Sequence, residues 1–226
     1  MGKDDARTRI LEAAGPVFAE KGFQAATVRE ICEAAKMNLA SINYYFGDKQ
    51  QLYVEAVKYA HQPPGEEVEE TDWPAGTPTQ EKLKGYILTM LKRMLGVRTT
   101  WQRQLMMREI LQPTSACKEL VEGHFRARFN RLLDILDEVL PPDTPPHRRH
   151  QIGFSIVGQC LHYRVAGEIV TMLVGEEETK SHYSVEELAE TISWVSLAAL
   201  GLAPPLSQHC ETSSDVELKS KAKVRK

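Results

Sequence analysis

The sequence lacks the marks of several functional classes at once. No CxxC pair or zinc-finger spacing links its cysteines (Cys32, Cys117, Cys160 and Cys210), so they read as reduced thiols, mostly small core residues. Long apolar runs are missing too. The stretch from Ile152 to Val174 is interrupted by Gln159, His162, Arg164 and Glu168, which a bilayer would not accept cheaply. The opening residues MGKDDARTR are charged and contain no signal-peptide apolar region. A cytoplasmic location with no membrane partner is therefore expected. There is no nucleophile elbow, phosphate loop or HExxH pair, and Cys160 and His162, two residues apart, point to different helical faces. The chain is thus not expected to be an enzyme or to use a cofactor.

Charge of one sign is scarce as well: 28 Lys and Arg stand against 31 Asp and Glu, a net charge of -3. In residues 1–62 the cations Lys3, Arg7, Arg9, Lys21, Arg29, Lys36, Lys49 and Lys58 are matched by Asp4, Asp5, Glu12, Glu20, Glu30, Glu33, Asp48 and Glu55. Nucleic-acid binding must then rest on where the charges sit, because phosphates need a local basic face rather than a basic chain.

With 226 residues and 42% hydrophobic content, the chain can bury one or two ordinary cores. Strand-type alternation is absent and helical periodicity recurs, so the fold class is all-α. Pro63-Pro64-Gly65 and the acidic stretch Glu66, Glu67, Glu69, Glu70 and Asp72 read as a solvated loop. Helices are predicted over Thr79–Leu95, Thr100–Gln112, Ser115–Leu140, Pro146–Val174 and Val185–Leu202, separated by Gly96, Pro113, Pro141-Pro142 and Gly175. Three segments result: a helix-turn-helix domain over 1–48, a helical body over 49–204 and a basic, disordered tail over 205–226.

The first block carries the chemistry. Ile10, Leu11, Ala14, Val17 and Phe18 form one apolar face of a helix ending at Gly22. Thr27 with Glu30 is a capping box for a short second helix whose buried side is Val28, Ile31, Ala34 and Ala35. After a tight break at Lys36–Asn38, Asn38 caps a third helix. There Ile42 and Phe46 face the core, while Leu39, Ala40, Ser41, Asn43, Tyr44 and Tyr45 face outward. A slim face with hydroxyls and amides suits a major groove, although an ordinary helical hairpin in which the tyrosines merely pack gives the same local pattern.

The string Phe18-Ala19-Glu20-Lys21-Gly22-Phe23, Thr27-Val28-Arg29-Glu30-Ile31, Ala34-Ala35, Ile42-Asn43-Tyr44-Tyr45-Phe46 and Asp48-Lys49-Gln50-Gln51-Leu52 resembles the TetR family of bacterial regulators. The resemblance implies a homodimer of helical subunits, a double-stranded DNA operator and a small-molecule effector held by the body. It makes Arg29, Leu39, Ala40, Ser41 and Asn43 candidate base or groove contacts, and Thr27, Tyr44, Tyr45 and Lys49 candidate phosphate contacts. Lys36 departs from the pattern, because many relatives carry Gly there. A left-handed backbone at Lys36 would cost about 1–2 kcal/mol, so a slightly different turn is expected.

Further on, Leu105–Thr114 and Ile156–Arg164 resemble the C-terminal domain of CecR-type TetR regulators. That resemblance assigns the dimer contact to Ile152–Val174 and Val185–Leu202. Ile192, Val195, Ala199 and Leu202 form an apolar stripe wider than one internal contact needs, although a buried bundle core within one subunit is the plainer alternative. Candidate effector-site residues are Trp101, Met106, Met107, Phe125 and Phe129 as walls, with Arg108, Gln159, His162 and Tyr163 as polar groups. Arg108 paired with an acid and His162 as a core or interface histidine are the plainer readings. A metal-responsive regulator of the same fold is the alternative, on His147 and His150 three residues apart, although both sit at a solvated helix start and no metal site is assigned.

Overall fold

The computed structural model describes residues 3–62, 72–96 and 98–205. The proposed tail and most of the acidic stretch lie outside the described residues. Among the described residues the chain is all-α, without a strand. The helices are α1 (Lys3–Ala25), α2 (Val28–Ala35), α3 (Leu39–Phe46), α4 (Lys49–His61), α5 (Thr79–Leu95), α6 (Thr100–Leu111), α7 (Ser115–Leu120), α8 (Arg126–Asp137), α9 (Pro146–Val174), α10 (Glu176–His182) and α11 (Val185–Ala199).

The bounds of α5 and α9 match the sequence reading, because apolar periodicity and Pro or Gly punctuation agree there. Elsewhere the structure differs. The single helix expected over 115–140 carries a π-helical turn at Val121–Phe125 between α7 and α8 and ends at Asp137. α11 ends at Ala199, with Gly201 beyond it at φ 73. The sequence reading contains no α10. That helix is exposed along most of its length and has no apolar face to detect. Glu176, Glu177 and Glu178 in its first turn and a Lys180–Glu176 pair at 3.1 Å hold it electrostatically.

The chain divides into two compact units, one over 1–69 and 96–130, the other over 70–95 and 131–226. In the first, α1 packs on α2, α4 and α6. Its core buries Ile10, Leu11, Ala14 and Phe18 of α1 with Ile31, Ile42, Phe46, Leu52, Val57, Leu105 and Leu120. Each large side chain contributes about 1.5–3 kcal/mol by leaving water. Gly15 is required here. A Cβ on it would stand 2.3 Å from Cζ3 of Trp101, whose ring stacks on Tyr59 at 6.2 Å. In the second unit α5 packs against α9 and α11, burying Leu83, Ile87 and Leu91 together with Ile156, Cys160, Leu188, Ile192 and Leu197.

Candidate nucleic-acid interface

The α2–α3 pair is built by its caps. Thr27 Oγ1 accepts from the Glu30 amide at 3.2 Å, and Glu30 Oε2 accepts from the Thr27 amide at 3.0 Å, closing the expected capping box. Lys21 Nζ adds a bond to Glu30 at 2.5 Å. That ammonium, followed by the Thr27 amide and hydroxyl, holds the Glu30 carboxyl down at about 2. At α3, Asn38 Oδ1 accepts from both the amide of Ser41, at 2.8 Å, and its hydroxyl, at 2.9 Å. The hydroxyls of Thr27 and Ser41 are therefore engaged in capping.

Lys36 adopts the left-handed conformation, φ 53 and ψ 43, the one positive φ outside glycine among the described residues. The turn keeps the geometry that glycine would give, and the strain sits in the lysine backbone. The structure thus does not show the altered turn expected from the sequence. Replacing Lys36 with Gly is expected to stabilise the fold by about 1 kcal/mol, net of the extra chain entropy of glycine. Thermal unfolding checks this, and an unchanged or lower midpoint contradicts it.

Ile42 and Phe46 are buried, whereas Leu39, Ala40, Asn43 and Tyr44 are exposed and Ser41 and Tyr45 are half-buried. Tyr44 and Tyr45 meet edge to face at 5.1 Å. Ala34, assigned by periodicity to the buried side of α2, is exposed. α3 itself carries no charge. It offers methyl groups at Leu39 and Ala40, one carboxamide at Asn43 and the phenol of Tyr44, a set suited to thymine methyls and to an adenine edge. The cations flank it. Arg29 on α2 is exposed and pairs with Glu33 at 3.1 Å. Lys49 opens α4, which Asp48 caps. Its Nζ lies 4.7 Å from the Phe23 ring centre and donates to the Gln24 carbonyl at 3.2 Å.

The candidate effector residues separate. Trp101, Met106, Met107, Arg108, Phe125 and Phe129 belong to the first unit, and Gln159, His162 and Tyr163 to the second. Trp101, Met106 and Phe125 pack against the core of the first unit. Arg108 turns to α1, where it donates to the carbonyls of Ala19 at 2.8 Å and Glu20 at 2.7 Å. His162 is exposed, while the Tyr163 ring meets Tyr183 at 6.3 Å. His147 and His150 are exposed near the start of α9, and no three His, Cys, Asp or Glu groups converge among the described residues. Beside Arg108 on α6, Glu109 is a buried carboxylate. It accepts from Tyr53 Oη at 2.6 Å, from Cys117 N at 3.1 Å, and from the amide and hydroxyl of Thr114.

Known proteins share the sequence pattern and the fold. The family model described as HTH-type transcriptional dual regulator CecR, C-terminal domain, matches residues 79–200, more than half of the chain, and that of bacterial regulatory proteins, tetR family, matches 10–56. The HTH-type transcriptional dual regulator CecR of Shigella flexneri is 25% identical over 193 residues, 78% of this chain and 86% of that protein. The HTH-type transcriptional repressor NicS of Pseudomonas putida is 36% identical over 58 residues, 26% of this chain and 27% of its own. Among solved structures, HlyIIR, a hemolysin II transcriptional regulator, superposes with a TM-score of 0.53 at 20% identity, covering 85% of this chain and 99% of that one. TylP, a TetR regulator from Streptomyces fradiae, superposes with a TM-score of 0.51 at 18% identity, covering 95% and 98%. These superpositions carry the fold, and the two family models carry the membership. The chain belongs to the TetR family of DNA-binding transcriptional regulators, which are not enzymes, and its C-terminal domain is of the CecR type.

Proposed function

We propose that the protein is a homodimeric repressor whose paired α3 helices read a double-stranded operator, and that a small organic effector releases it. The observation that carries the reading is the two-faced α3: Ile42 and Phe46 anchor it while Leu39, Ala40, Asn43 and Tyr44 stand out in solvent. Arg29, Leu39, Ala40, Ser41 and Asn43 face the groove, with Thr27, Tyr44, Tyr45 and Lys49 along the phosphates. The Phe23 ring and the Gln24 carbonyl hold the Lys49 ammonium at the start of α4, which orders the cation before DNA arrives. Repression follows the name of the NicS relative. A cytoplasmic location accompanies this role, and among the described residues no helix is long and apolar enough to cross a membrane.

The dimer contact is assigned to α9 and α11. Phe154, Val165, Ile169 and Met172 are exposed at spacings that place them on one face of α9, and Val195 is exposed on α11. The effector is assigned to the region of Met106, Met107 and Phe125. α6 packs on both α1 and α4, so a ligand lodged against α6 acts on the DNA-binding helices. A five- to 150-fold drop in operator affinity needs a coupling of about 1–3 kcal/mol.

Selecting duplexes from random DNA with the purified protein tests the reading. The expected product has two related half-sites at least one helical turn, about 34 Å, apart. Replacing Asn43 with Ala should change the selected sequence. Replacing Lys49 with Ala should instead weaken binding to all duplexes and reduce the log–log salt slope by about one. Failure to enrich any sequence, even at low salt, contradicts the proposal.

A further inference from the structure

α6 lies far along the chain from the DNA-reading helices, yet two adjacent side chains tie it to them. The helical path of α1 breaks at Gly22, φ 74 and ψ 176, where the carbonyls of the preceding turn lose their regular partners. Arg108 of α6 supplies donors. Its Nε reaches the Ala19 carbonyl at 2.8 Å and an Nη the Glu20 carbonyl at 2.7 Å. The guanidinium lies so close that a Cβ on Gly22 would be 3.0 Å from Nη1. A rigid cationic fork fits this place, since it satisfies two carbonyls at the negative end of a helix.

The residues beyond the break are held from α4. The Phe23 ring packs on Tyr53 at 5.2 Å and beneath the Lys49 ammonium at 4.7 Å, and Lys49 also binds the Gln24 carbonyl at 3.2 Å. Tyr53 in turn donates at 2.6 Å to Glu109, the neighbour of Arg108. The chain then reaches Thr27, the cap of α2. One end of α6 therefore grips the α1 break with one side chain and α4 with the next.

We propose that Arg108 and Glu109 are positioning residues for DNA reading, completing the DNA-binding head by fixing residues 22–26 against the start of α4 and so setting α2 and α3. The inference rests on the assignment of α3 as the reading helix. Arg108 becomes part of the head and not a polar group of the effector site.

The test uses the full chain, a duplex selected by the wild-type protein and a scrambled duplex, at a temperature where circular dichroism shows each variant folded. Arg108→Met is expected to lower the selected-to-scrambled affinity ratio at least tenfold with an unchanged salt slope. It should also speed amide exchange at Phe23–Ala26 at least tenfold, with Arg108→Lys restoring part of both. A purely structural role would lower the melting temperature and leave the ratio within twofold, and that result overturns the proposal. A lost ratio with unchanged exchange at Phe23–Ala26 also overturns it, because Arg108 would then act elsewhere. If Arg108→Met does not fold, Arg108→Lys decides by the same two readouts. If the wild type selects no duplex, the DNA-reading assignment fails, and the exchange measurement still decides whether Arg108 holds residues 22–26.

Discussion

Replacing Ile169 and Val195 together with Asp is expected to convert the proposed dimer to a monomer and to lower affinity for a two-half-site duplex by about 10²- to 10⁴-fold. Ile169 is 59% exposed and Val195 41% exposed in the isolated chain, unusual values for large apolar groups on the two helices assigned to the contact. Along α9, Phe154, Gly158, Val165, Ile169 and Met172 share one face, opposite the buried Ile156, Cys160 and Val170. A Cβ added to Gly158 meets nothing within 4 Å, so this face is open in the protomer. Carboxylates buried there without partners cost several kcal/mol each. The fall in DNA affinity follows because one head keeps only half of the contacts and loses the high effective concentration given by its tethered partner. Sedimentation and light scattering check the first effect, and an unchanged dimer would move the interface elsewhere.

The second large effect concerns Glu109. Its replacement by Ala is expected to destabilise the fold by about 3–5 kcal/mol, because it leaves the Tyr53 hydroxyl and the donors of Thr114 and Cys117 buried without an acceptor. Glu109→Gln should cost less, since one carbonyl oxygen remains. In Glu109→Ala, adding Tyr53→Phe should cost less than the sum of the two, because both remove the same bond. The pH dependence has a definite sign. Burial, followed by the bond to Glu109, raises the Tyr53 phenol above its ordinary value near 10. The stability from this group is therefore complete below about pH 10 and is lost as pH rises toward the raised value. Denaturant midpoints across pH test this, and an alkaline decline as steep in Tyr53→Phe as in the wild type contradicts it.

What the sequence disclosed and what it hid divide along physical lines. The caps at Thr27 and Asn38 were readable because capping is local, a side-chain oxygen two or three residues from the amide it serves. The faces of α1 and α3 were readable because one apolar stripe meets one core. Ala34 was misplaced because α2 is only eight residues long and a small exposed alanine costs nothing. Lys36 broke the glycine rule because the surrounding packing and the bonds from its own and the next amide hold the turn. The role of Arg108 was hidden because its acceptor lies 89 positions away, and periodicity carries no information about which distant carbonyls a side chain will meet.

The central claim is that the outer face of α3 touches DNA bases. A benzophenone side chain placed at Asn43 or at Leu39 of the full-length protein, with exposed Asp134 of α8 as the control, tests it directly on the selected duplex. Crosslinks from positions 39 and 43 to bases within each half-site, and none from position 134, are the predicted result. Crosslinking from position 134 with silence at both α3 positions would contradict it.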